Sequence, residues 1–117
     1  MKSLFFIYKN SPFTESRFET LCNLAAIALQ KGLEVKVFFD FDGVFNTVVD
    51  QQSYESLMLP KDRITELIDS GVSVYICKVC SAARGLKAAN LHVENAKFAS
   101  MDTVSKLIDK ADKVLCF

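Results

Sequence analysis

Hydrophobic positions follow two rhythms along this chain. Short runs rich in apolar and aromatic residues fall at 3–8, 34–39, 72–76, 97–99 and 114–117. Such lengths suit strands buried within a sheet. Between the runs, apolar residues recur at helical spacing. Phe18, Leu21, Cys22, Ala25 and Leu29 share one helical face; Ile64, Leu67 and Ile68 share a second; Val104, Leu107 and Ile108 share a third. Punctuation residues agree with this division. Asn10-Ser11-Pro12 closes the first run. Thr14 is placed to cap the first helix, with Glu15 in its first turn, and Lys31-Gly32 ends it. Pro60 opens a helix that runs to Ser70, and Gly71 stops it. Residues 81–87 read as a short helix or turn, and residues 101–110 as the last helix.

Strands that alternate with helices across short loops pair in parallel. The pattern therefore predicts an α/β fold: a three-layer α/β/α domain with an open, mostly parallel sheet of about five strands, a flavodoxin-like variant. Neither a repeat nor a linker interrupts it, so residues 1–117 read as one domain. Residues 40–59 form a long excursion holding one short helix, and connections of that length are usually functional or contact a partner. In such sheets ligands bind outside the carboxyl ends of the strands. Two loops lie there, one with Asp40 and Asp42, the other with Cys77 and Cys80.

Composition narrows the classes. The 14 basic and 14 acidic residues cancel, whereas a general nucleic-acid binder needs a basic excess. A neutral chain also has little long-range repulsion to keep copies apart, which favours a homo-oligomer. The apolar run near Met1 is too short for a signal-peptide core, and no stretch approaches the roughly 20 residues of a spanning helix. The expected location is cytoplasmic, with no membrane and no nucleic acid as partner.

The four cysteines are Cys22, Cys77, Cys80 and Cys116. In a reducing compartment the Cys77-Lys78-Val79-Cys80 spacing points to redox, metal or thiol chemistry rather than to a structural disulfide. An apolar strand delivers Cys77 to the sheet rim, and Cys80 falls near the start of the next helical turn. Backbone N–H groups there, with Lys78 and Arg84, are expected to favour a thiolate. Tetrahedral zinc wants four ligands, and with one Cys-x-x-Cys and one His a site within one chain is short of them. No metal and no cofactor is expected. Cys22 and Cys116 read as core residues, and His92, the single histidine, as a surface or capping residue. Phe41, Phe45 and Tyr54, in the excursion, suggest a subunit interface if exposed.

Four segments together resemble the DsrE/TusD-type (DsrE-like, DsrEFH) sulfur-relay family. They are the first strand with Asn10-Ser11-Pro12 and its helix ending Lys31-Gly32-Leu33-Glu34-Val35; Val37-Phe38-Phe39-Asp40-Phe41-Asp42-Gly43-Val44; Cys77-x-x-Cys80-x-x-Ala83-Arg84-Gly85; and the closing 109–117. The resemblance implies trimers or hexamers and a Cys77 persulfide, loaded by a sulfur donor protein and passed to an acceptor. Cys77 and Cys80 are then the catalytic candidates. Arg84, Ser81, Asn10, Asp42 and Gly43 are candidate ligand-binding residues around them. Cys80 either resolves the persulfide as a disulfide or helps to position it.

Two rival readings remain. One is a non-catalytic oligomeric binding protein that keeps the fold. The other is a haloacid-dehalogenase-like phosphatase, because Asp40-Phe41-Asp42-Gly43-Val44 is similar to the first motif of that group, with Asp40 as nucleophile and Asp42 as acid/base. The bland reading of the same residues is a turn in which Gly43 supplies a positive φ.

Overall fold

The computed structural model describes residues 2–12, 16–51 and 59–117. Strands β1 (Ser3–Tyr8), β2 (Glu34–Phe39), β3 (Ser73–Cys77), β4 (Lys97–Ala99) and β5 (Lys113–Cys116) form one sheet in the order β4-β3-β2-β1-β5. Every pairing is parallel. Helices α1 (Arg17–Gln30), α2 (Pro60–Ser70), α3 (Lys78–Ala83) and α4 (Met101–Lys110) connect them. This is the expected three-layer α/β/α arrangement.

The layers follow from handedness. Steps from β1 to β2 to β3 run in one direction, so right-handed crossovers put α1 and α2 on the same face. The return from β4 across the sheet to β5 reverses direction and puts α4 on the other face. Side chains alternate accordingly. Phe6, Tyr8, Val37 and Val74 pack with Phe18, Leu21 and Cys22 of α1 and Ile64 and Leu67 of α2. Phe5, Phe38, Ile76 and Cys77 pack with Val104 and Leu107 of α4. Each large side chain buried this way contributes about 1.5–3 kcal/mol. Pro60 starts α2 at its first position, and Gly71 ends it at φ +119°, a conformation that strains any residue with a Cβ.

The second layer is thinner than the pattern predicts. It holds α4 with no long helix packed beside it among the described residues, and Ile108 is 42% exposed rather than inward. Cys116, expected in the core, is exposed, because β5 is an edge strand paired with β1 alone. The excursion after β2 holds a 3-10 helix, Phe41–Thr47. Val48 then forms an antiparallel bridge to His92. Thr14, Glu15, Ser53 and Tyr54, assigned to a cap, a first turn and the excursion, lie outside the described residues. Among the described residues, no helix is long and apolar enough to cross a membrane.

Candidate functional site

The site begins where β3 gives way to α3. The helix starts at Lys78, earlier than the residue pattern predicts, and this makes Cys77 its N-cap. Cys77 keeps an extended backbone, and its Sγ accepts the N–H of Cys80 at 3.3 Å. An N-cap acceptor satisfies a donor that the helix itself leaves unpaired. The expectation that the helix start serves Cys80 is therefore corrected: the cap position and the N–H it accepts belong to Cys77. The Cys80 thiol is instead pushed up from 9.0 to about 12. Burial is the main cause, followed by the hydrogen bonds to Cys77 and Asp40, while the Phe41 N–H works in the opposite direction. Lys78 is exposed.

Asp40 enters from the neighbouring strand. Parallel register pairs Phe39 with Ile76, so the next residue of β2's exit stands level with Cys77. Its backbone N–H donates to the Tyr8 carbonyl at 3.0 Å, which fixes the exit against β1. The carboxylate Oδ1 accepts the Phe41 N–H at 3.0 Å and the Cys80 S–H at 3.3 Å. One oxygen of Asp40 and the sulfurs of Cys77 and Cys80 lie within 4.8 Å of one another. Arg84 closes α3 as its C-cap. Its Nε–H donates to Asp42 Oδ1 at 2.9 Å, and its Nη1–H to the Cys80 carbonyl at 3.1 Å. Arg84 thus straps the cysteine loop to the aspartate loop.

The other predicted site residues act through the backbone or sit apart. The Asn10 carbonyl accepts from Asn46 Nδ2 at 2.9 Å, and that amide also donates to the Gly43 carbonyl at 3.0 Å. Gly43 does not adopt a positive φ. It is needed for close approach instead, since a Cβ there would run into the Tyr8 carbonyl oxygen. Ser81 is fully buried, and its Oγ has no hydrogen-bond partner among the described residues.

Of its two expected places, surface or cap, His92 takes the second: it is the C-cap of a short 3-10 helix, Ala89–Leu91. It is 5% exposed, stands edge-on to Phe98, and spans two loops. Nδ1 meets Thr47 Oγ1 at 2.6 Å, and Nε2 meets the Leu86 carbonyl at 2.7 Å. A carbonyl only accepts, so Nε2 carries a hydrogen. Its ring fastens the segment after α3 to the end of the 3-10 helix. Asp40 is the residue that the cysteine-centred reading missed; its signal was its place one step beyond the β2 partner of Ile76.

The model of the DsrE/DsrF-like family matches residues 2–117. The chain belongs to that family. Its relatives include Uncharacterized protein MJ0989 of Methanocaldococcus jannaschii, 30% identical over 113 residues that cover 95% of this chain and 96% of that protein. Uncharacterized protein MK0008 of Methanopyrus kandleri is also 30% identical, over 95% of this chain and 90% of its own. Among solved structures, the ychN protein from E. coli superimposes with a TM-score of 0.89 over 100% of both chains at 21% identity. At that identity the likeness establishes the shared DsrE fold, and activity has to be argued from the site. The haloacid-dehalogenase likeness ends with the local motif: it follows the second strand, and Asp42 is committed to Arg84.

Proposed function

We propose that this protein is a sulfur carrier that holds sulfane sulfur as a persulfide on Cys77. The observation that supports it best is the Cys80 N–H directed at Cys77 Sγ at 3.3 Å. An anionic sulfur accepts such a donor in a charge-assisted bond, stronger than a neutral one. The Cys77 thiolate attacks the outer sulfur of a donor persulfide, the donor's S–S bond breaks, and the donor leaves as a thiolate. An acceptor thiolate then attacks the same sulfur, and Cys77 leaves as a thiolate. Cys80 assists retention: a thiol pushed up to about 12 is a poor attacker near neutral pH, so it does not displace the stored sulfur as sulfide. The carrier works in the cytoplasm as a homo-oligomer, trimer or hexamer, with separate donor and acceptor proteins. Phe41, 55% exposed, and Val79, 72% exposed, are next to Asp40 and between the cysteines, where a partner chain would cover apolar surface.

Mass spectrometry after exposure to a persulfide donor tests the reading. One added sulfur on Cys77, absent in Cys77→Ser and retained in Cys80→Ser, is the expected result. A second reading, a non-catalytic binding protein, is favoured by one observation: Cys77 is only 2% exposed. No sulfur gain on either cysteine, with Cys77 inert to alkylation in the folded protein, decides for it.

A further inference from the structure

We propose that Asp40, Cys77 and Cys80 form a binding site for a thiophilic divalent cation of the zinc class. This goes beyond the carrier reading and uses the same thiols, so metal and sulfane sulfur exclude one another. The sequence offers one Cys-x-x-Cys and too few further ligands beside it; the fold supplies Asp40 from the adjacent strand. One donor atom from each residue lies within 4.8 Å of the other two. Zinc at about 2.3 Å from sulfur and about 2.0 Å from carboxylate oxygen requires tetrahedral edges of about 3.8 Å between sulfurs and about 3.5 Å from sulfur to oxygen. The Cys80 Sγ to Asp40 Oδ1 separation of 3.3 Å already matches the second value, and from within 4.8 Å the two sulfurs need to close by at most about 1 Å and Cys77 Sγ and the Asp40 oxygen by at most about 1.3 Å.

Charge supplies an independent argument. The half-buried Asp40 carboxylate has no cationic partner among the described residues, because Arg84 is paired with Asp42. A divalent cation here replaces the proton of each thiol, and both protons pass to solvent. Two thiolates and a carboxylate then surround the cation and leave its fourth position to water, the open arrangement of a three-ligand zinc site. Two sulfur donors select against magnesium and calcium, which take oxygen.

The test is anaerobic titration of the reduced full chain with Co²⁺, then with Zn²⁺, without any sulfur donor. The expected result is a single Co²⁺ per chain with a sulfur-to-cobalt charge-transfer band in the near ultraviolet, bleached by equimolar Zn²⁺. Cys80→Ser removes the band while leaving Cys77 as the helix cap, so folding is preserved. Asp40→Asn weakens binding roughly tenfold or more, the scale on which even outer partners of a metal act. Cys116→Ser changes nothing. The proposal is overturned by an absent band, a band that survives Cys80→Ser, one lost with Cys116→Ser, or Asp40→Asn binding as tightly as wild type. Sulfur loading on Cys77 without Co²⁺ binding defeats this inference alone. Co²⁺ binding without sulfur loading of the metal-free protein defeats the carrier reading alone.

Discussion

Substituting Gly43 by Ala separates two opposing effects whose signs the structure decides. Away from positive φ, Gly→Ala ordinarily stabilises by about 0.4–1 kcal/mol by restricting the unfolded chain. Gly43 has no positive φ, so backbone preference alone predicts a gain. The new methyl, however, meets the Tyr8 carbonyl, which is backbone in a central strand and cannot swing aside. Overpacking of that kind costs about 1–3 kcal/mol. Relief requires the 3-10 helix to lift from β1, which stretches the Asp40 N–H to Tyr8 bond of 3.0 Å and loses about 1 kcal/mol more. The net expectation is destabilisation of about 2–3 kcal/mol, or a fall in Tm of roughly 8–15 °C for a chain of this length. Urea unfolding should show a lower midpoint with an unchanged slope. Alkylation of Cys80 should also quicken, since the shift draws Asp40 away from its S–H. An Ala variant as stable as wild type, or more so, would refute the steric argument.

Other outcomes follow from single groups. Burial pushes the Cys22 thiol up from 9.0 to about 12; above pH 9 the unfolded chain loses this proton while the native one keeps it, so stability falls as pH rises from about 9 toward 12. Urea melts across that range should show a shallower fall in Cys22→Ala, and parallel declines would count against the assignment. His92→Phe leaves Thr47 and the Leu86 carbonyl without their ring partner, a loss of about 2 kcal/mol in a thermal melt. Phe41 sits at φ 48° with 55% of its surface exposed, so Phe41→Asn should stabilise the isolated chain by about 1 kcal/mol; a loss instead would show that the ring is already packed, for example against another copy.

Periodicity was enough to place the five strands and the three longer helices, but not the start of α3. Runs of Val, Ile and Phe bounded by Pro60, Gly71 and Lys31-Gly32 placed α2 at its observed bounds and put β1 and β2 where they stand. What periodicity does not encode is what lies over a face. Ile108 has the right spacing and Cys116 the right neighbours, but an edge strand and a thin layer leave both exposed. The site was half legible. Cys77 and Cys80 announce themselves by spacing, and the fold class put the Asp40 loop at the same rim. Two things stayed hidden. The direct S–H to carboxylate contact is a matter of register between strands far apart in sequence. The division of roles within the pair depends on a helix boundary shifted by a few residues, which turns Cys77 rather than Cys80 into the cap.

The strand order has a consequence for how the chain is made. β1 lies between β2, synthesised soon after it, and β5, synthesised last; Ser3 finds its partner Asp112 at a separation of 109 positions. By the time α3 emerges from the ribosome, all three donors at the rim, Asp40, Cys77 and Cys80, are already in hand. At that moment the sheet face with Phe5 and Phe38 is still bare, and the outer edge of β1 still offers open hydrogen-bonding groups. The nascent protein therefore assembles its cysteine rim before it covers its second apolar face. Its window of vulnerability, to oxidants and to strand-to-strand aggregation alike, closes only when α4 and β5 arrive.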